Sequence, residues 1–259
     1  FIVIAAIFLF YNQRASFDSN ALLQIEIDSQ LDEDSLLEEW KWVSRHDNLY
    51  PDKKVEQAAN NPELIHFMYL LGNGITSSNS DSVLSKEEIS GQIPYLFQWD
   101  ERWGFKAYGT NNIGFSGCGP TCLAMVLAFY NKDECITPAV LADFAVKNGY
   151  YELGVGTRWS FMIDAANEYN VTANSISISQ IQDTLSEGNP VIVSVGKGHF
   201  TETGHFILLA EVEDGKIRVH DPNNVTNCMK LWEFNSFKDE IKSAWSYGVP
   251  QEGMLMVAE

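Results

Sequence analysis

Residues 205–222 read HFILLAEVEDGKIRVHDP, and this stretch decides the architecture. His205 to Glu213 is apolar enough for a largely buried strand. Asp214-Gly215 is a two-residue turn whose residue types suit the left-handed dihedrals of a tight hairpin. Lys216 to His220 returns as the partner strand. Upstream, Val191 to Val195 (VIVSV) is another apolar run of strand length. The segments before it carry helical spacing instead. Thr121 to Tyr130 sets Leu123, Val126, Leu127 and Tyr130 on one face, behind Gly117, Gly119 and Pro120. Proline is welcome in a first helical turn. Thr137-Pro138 opens a second helix as cap and first residue, with Val140, Leu141, Phe144 and Ala145 on its buried face and Gly149 at its end. Ser160 to Tyr169 reads as a third helix. Ser179 with Gln182 fits the capping box of a fourth, closed by Gly188 before Pro190. Helices first and antiparallel strands later argue for an α+β fold rather than a doubly wound sheet.

The chain has 259 residues, enough for one sizeable core and an appendage. It divides into three stretches. Residues 1–20 open with FIVIAAIFLFY, an apolar run too short to span a bilayer on its own. It reads as the end of a signal peptide or of an N-terminal membrane anchor, and so places the protein outside the cell, secreted or tethered. Residues 21–90 are acidic and partly helical. Over residues 1–90, 15 Asp and Glu stand against 6 Lys and Arg. After Pro62, Leu64, Ile65, Met68, Tyr69 and Leu71 form a helical apolar stripe, and Thr76 to Ser85 reads as a linker or exposed loop. This region can serve as a stalk, as a pro-region over a cleft, or as part of the fold. Residues 91–259 carry the domain. A net charge of -18 argues against nucleic acid as a partner, since phosphate binding needs clustered Lys and Arg. Of the four cysteines, Cys135 and Cys228 are the candidates for a disulfide. Cys118 and Cys122 stand four apart, like half a metal site, but nothing follows at zinc spacing. No metal or other cofactor is expected.

The chemistry centres on Cys118 in SGCGPTCLAMV. A thiol at a helix N-terminus meets free backbone N–H groups and the positive end of the dipole, both of which favour the thiolate. Gly117 and Gly119 beside it leave room for a substrate carbonyl, and the backbone N–H there can donate to an oxyanion. Cys122, one turn further, reads as a small core residue. His205, at the mouth of a strand after Thr203-Gly204, has the fixed direction that a general base needs. His199 reads as a loop residue near the cleft. Asp221 is the leading candidate to orient His205, with Asn223 and Asn224 as alternatives. A uniform hairpin register around Asp214-Gly215 sets Asp221 opposite Leu208, on the wrong face from His205. A bulge at the strand end would restore the phase. Trp99, Trp103 and Trp159 read as core, with Trp159 as a second candidate for the cleft wall. Arg158 reads as a surface ion pair.

Gln98-Trp99-Asp100, Trp103-Gly104, Gly117 to Thr121, Ala124-Met125, Gly156-Thr157, Gly204-His205-Phe206 and Asp221-Pro222 occur in the order and wording of a known group. Over residues 91–248 the chain resembles the bacteriocin-processing, papain-like cysteine peptidases of family thirty-nine, in their stand-alone branch. The resemblance implies a papain-like fold, with N-terminal helices packed on an antiparallel sheet. It implies peptide-bond hydrolysis through a thioester, with Cys118 as nucleophile, His205 as base and Asp221 as orienter. It also implies an upstream glutamine as oxyanion donor. Gln98 is the match and Gln92 the poorer choice. Gln98 stands 20 residues before Cys118, which makes Tyr108-Gly109 to Phe115 an inserted loop. Gly117, Gly119, Gly204 and Trp159 are the substrate-binding candidates.

The chain has no GxxxxGK[ST] phosphate loop, unlike transporter-linked members. The expectation is therefore an exported thiol hydrolase that acts on a peptide or cell-wall peptide and touches the membrane only through its N-terminal segment. A non-catalytic binding module on the same fold and an acyltransferase are the alternatives.

Overall fold

The computed structural model describes residues 33–59, 61–77 and 82–249; the expected export segment lies outside them. Six helices and six strands position the site. The helices are α1 (Glu33–Arg45), α2 (Lys54–Ala58), α3 (Pro62–Gly72), α4 (Cys118–Asn131), α5 (Pro138–Lys147) and α6 (Phe161–Glu168). The strands are β1 (Thr172–Ile176), β2 (Val191–Gly196), β3 (Gly204–Glu213), β4 (Lys216–His220), β5 (Leu231–Trp232) and β6 (Ile241–Gly248). They form one antiparallel sheet in the order β1-β6-β2-β3-β4-β5.

The sheet is buried on both faces. Ile192, Phe206 and Leu208 meet Leu123, Leu127, Leu141 and Phe161 of the helices. Val191, Val193, Ile207, Leu209, Ile217 and Val219 meet Ile181, Phe234 and Phe237 on the other side. Successive residues of a strand point to opposite faces, so a strand covered twice reads as a continuous apolar run. That is why VIVSV carries no alternation. α4 is buried almost all round for the same reason, and Lys132 ends it in a left-handed conformation with φ 51°.

Residues 33–72 are part of the fold. α1 and α3 pair through Leu36, Val43, Leu64, Ile65 and Met68, and this cluster closes over Phe105 and Phe115. Phe67 stacks on Phe105 at 4.7 Å and meets Phe115 edge-on at 5.4 Å. Each buried Leu, Ile or Phe of this kind stabilises by ~1.5–3 kcal/mol relative to exposure.

Four expectations are corrected. The capping box uses Ser177 and Gln180, two residues before the expected pair, with Ser177 N–H donating to Gln180 Oε1 at 2.9 Å. Ser177, not Ser179, has the extended backbone that a cap requires. Val140 is exposed, because it points off the face that buries Leu141 and Ala145. Cys135 and Cys228 do not pair: all four thiols are free, Cys135 on the surface and Cys228 inside. The hairpin turn at Asp214 (φ 51°) and Gly215 (φ 77°) is as expected, but the bulge lies elsewhere. Glu213 to Glu211 pair with Lys216 to Arg218, whereas Leu209 pairs with Val219 and Leu208 with His220. Ala210 is the extra residue, in mid-strand rather than at the strand end.

Candidate active site

The site is built where α4 begins. Asn112 caps a single helical turn, Ile113–Ser116, by accepting from Phe115 N–H at 3.0 Å. Gly117 joins this turn to the next helix: its N–H donates to Ile113 O at 2.7 Å, and α4 starts with Cys118. Thr121 N–H donates to Gly117 O at 2.9 Å, so the first helical bond closes around the cysteine. The glycines serve packing rather than an open approach. A Cβ on Gly117 would stand 2.6 Å from Ile113 O, and one on Gly119 would stand 2.6 Å from Thr157 Oγ1. Neighbouring atoms thus already occupy the space a side chain would need at either glycine. At Gly204 a Cβ would meet nothing nearer than Val195 O at 4.0 Å, so that position is open.

His205 stands at the start of β3. Its Nε2 is 2.7 Å from Asp221 Oδ1. The imidazole and the Cys118 thiol each favour the other's charged form. With Nε2 committed to the carboxylate, Nδ1 is the nitrogen left for the sulfur. The bulge at Ala210 makes this possible: the register before it sets Asp221 opposite Ile207, in phase with His205 and diagonal to it.

Asp221 is 1% exposed, and its carboxylate is fully engaged. Oδ1 also accepts from Asn223 N–H at 2.9 Å, and Oδ2 accepts from Asn227 Nδ2 at 2.7 Å. Asn223 and Asn224, the alternatives as orienter, have other tasks. Asn223 O accepts from Trp99 Nε1 at 3.0 Å, and Asn224 Oδ1 caps the turn Val225–Cys228. Cys228 accepts from Asp221 N–H at 3.1 Å, so its sulfur supports the aspartate from behind.

Gln98 is 3% exposed and lies between the two halves of the site. Its N–H donates to Pro222 O at 2.8 Å, and its Nε2 donates to Gly114 O at 2.8 Å. Oε1 has no partner, and one Nε2 hydrogen remains unused. The inserted loop between Gln98 and Cys118 is a miniature hairpin, Ala107–Tyr108 against Asn111–Asn112, with Gly109 at φ 63°. Gln92 is exposed. Trp159 is 50% exposed, its ring edge-on to Trp245 at 5.9 Å, so it is not a core residue. Trp103 is fully buried and Trp99 half-buried. His199 pairs with Glu240 on the surface, not with the cysteine. Arg158 makes the expected surface pair, with Glu152 at 3.1 Å.

Electrostatics separate the half-buried Cys118 from the buried Cys122 of α4. Burial pushes the Cys118 thiol up, but the hydrogen bond and charge of His205, the Phe206 N–H and the Lys54 ammonium together hold it below the ordinary thiol value. Burial pushes Cys122 well up with nothing to oppose it, and its Sγ donates to Phe206 O at 3.4 Å. For His205, burial opposes the charge, yet Asp221 and Cys118 raise it to about 10. A lowered thiol beside a raised imidazole favours the thiolate–imidazolium pair. Sequence reasoning missed Asn227, Phe206 N–H and Lys54. A backbone donor has no residue-type signal, and Lys54 stands 64 residues before Cys118.

The described residues hold no cluster of His, Cys, Asp and Glu suited to a metal ion, and no helix among them is long and apolar enough to cross a membrane. Among solved structures, the chain is similar to the peptidase domain of Streptococcus ComA, described as a bifunctional ABC transporter involved in quorum sensing. That likeness has 21% identity and a TM-score of 0.40, over 52% of this chain and 93% of the other. A protein from Bacillus anthracis described as a C39-like peptidase is similar at 15% identity and a TM-score of 0.40, over 65% of this chain and 98% of the other. No curated protein matches the chain. The model of the C39-like peptidase family matches residues 91–251, from just before Gln98 to beyond β6. That match takes in more than half of the chain, and the protein belongs to the C39-like peptidase family.

Proposed function

We propose that the protein is an exported thiol hydrolase that cleaves a peptide or amide bond in a peptide or cell-wall peptide. The Cys118 thiolate attacks the carbonyl carbon. The backbone N–H of Cys118 and the unused Nε2 hydrogen of Gln98 receive the developing oxyanion. The His205 imidazolium gives its proton to the leaving amine, and the acyl group stays on sulfur as a thioester. His205, now neutral, takes a proton from water, and the hydroxide releases the acyl group as a carboxylate. Asp221 holds the ring and its charge throughout. Trp159 and the open edge at Gly204 are the surfaces assigned to the substrate chain.

The observation that carries this reading is the 2.7 Å bond from His205 to the buried Asp221, on a ring whose charge favours the Cys118 thiolate. A buried carboxylate with three donors serves a charged histidine better than it serves stability. The test is a screen of peptide and muropeptide substrates, with Cys118→Ala as control. Turnover by the native chain and none by the variant is expected. Gln98→Ala should retain turnover reduced by ~10²–10³, the usual cost of one oxyanion donor. Equal turnover by Cys118→Ala would end the hydrolase reading.

A further inference from the structure

Lys54 is the first residue of α2, in the stretch before the family match. Its Nζ donates to the backbone carbonyl of Phe115 at 2.9 Å and lies 5.4 Å from the centroid of the Phe115 ring. Phe115 is three residues from Cys118, in the turn that leads into α4. The carbonyl occupies one of the three ammonium hydrogens. Among the described residues Lys54 has no carboxylate partner; the negative group that acts on it is Cys118. An ammonium drawn out of water is costly unless another charge answers it. Here the answering charge is the sulfur.

The groups that face Cys118 come from several elements. His205 comes from β3, Lys54 from α2, Tyr108 from the miniature hairpin and Cys122 from α4 itself. Burial pushes Tyr108 and Cys122 up, so both stay neutral near pH 7. Two cations are left around one thiolate, and one of them is brought by the N-terminal helices. The Phe67, Phe105 and Phe115 cluster fixes α3 against the turn before Cys118, and α2 packs beside it.

We propose that Lys54 is a positioning residue of the catalytic centre, which holds negative charge on Cys118 with an ammonium anchored at the Phe115 carbonyl. The proposal rests on the reading of Cys118 as the nucleophile. On it, residues 33–72 complete the site rather than mask it.

The test uses the full chain and follows iodoacetamide alkylation of Cys118 against pH, read by mass spectrometry. Lys54→Gln keeps a donor for the Phe115 carbonyl and removes the charge; Lys54→Arg keeps the charge. The Gln variant should shift the alkylation midpoint up by ~0.5–1 pH unit, and the Arg variant should stay within ~0.3 unit of the native chain. A midpoint unmoved in the Gln variant, or moved equally in both, overturns the proposal, because a mere tether for the carbonyl predicts those results. A second measurement leaves Lys54 in place. Cys118→Ser removes the negative charge, so the ammonium releases its proton more readily and Lys54 should acetylate several-fold faster at about pH 8. An unchanged rate overturns the proposal as well. If the native chain itself alkylates with an ordinary thiol midpoint, about 8.5, the nucleophile reading fails instead. The two failures are therefore told apart.

Discussion

Two buried histidines show what a single neighbour does to a side chain. His205 faces Asp221 and Cys118 and is raised to about 10. His220 lies 15 residues on, stacked on Tyr95 at 3.7 Å, with Pro94 O as its polar partner. Burial lowers it to about 3, because no anion repays its desolvation. One ring is thus kept charged and the other neutral. The same logic ranks the thiols. At about pH 6, iodoacetamide should label Cys118 ahead of Cys135, although Cys135 is exposed, since some loss of solvent and the acidic neighbours Asp133 and Glu134 raise Cys135. Cys122 should label last. His205→Ala should slow labelling of Cys118 at pH 6–7 by ~10-fold or more, because burial then dominates its titration. Peptide mapping of the modified chain checks the order, and equal labelling of Cys118 and Cys122 would count against an activated thiol.

At the scale of elements, what matters is where α4 starts and how β3 is phased. Gly117 lets the turn Ile113–Ser116 run straight into α4. A methyl group there collides with backbone, which cannot move aside as a side chain can. Gly117→Ala should destabilise the chain by ~1–3 kcal/mol and also slow Cys118 alkylation, since it displaces the sulfur. Thr137→Ala is the contrast. Thr137 Oγ1 accepts from Val140 N–H at 3.3 Å at the start of α5, away from the site. Its loss should cost ~1 kcal/mol in urea unfolding and leave the alkylation profile untouched. The caps at Thr137 and Asn112 are the kind of local feature a sequence displays, because partner and capped group lie within three residues. Thr137 was read correctly. Asn112 was not singled out, because it lay in a stretch read only as an inserted loop. The bulge at Ala210 is of the other kind. Nothing local marks it, because it balances the core contacts of β3 on one side of the residue against those on the other.

For the whole molecule, the ion pair makes stability depend on pH in a definite way. Unfolded, His205 titrates near 6.5 and Cys118 near 9; folded, His205 is at about 10 and Cys118 is lowered. Stability owed to His205 is whole below about pH 6.5 and is lost as pH rises through about 10. Stability owed to Cys118 is whole above about pH 9 and is lost as pH falls through its lowered value. Between the lowered Cys118 value and about 9 the two slopes oppose each other, and above about 9 only the loss at His205 remains. Urea unfolding of the native chain against a Cys118→Ser, His205→Asn double variant, at about pH 9 and about pH 11, should show the smaller difference at the higher pH. Equal differences at the two pH values would refute the pair. By itself the sequence determined the α+β order, the Asp214-Gly215 hairpin, and Cys118, His205 and Asp221 as candidates. Those signals are local: residue spacing, turn chemistry, a thiol at a helix start. Only the tertiary structure decided that the bulge at Ala210 turns Asp221 toward His205, that Gly117 and Gly119 leave no space for a side chain, and that Lys54 is anchored at Phe115 near a thiol 64 residues away. Strand phase, steric room and electrostatic proximity are set by which surfaces pack together, and one chain position carries no record of what folds against it.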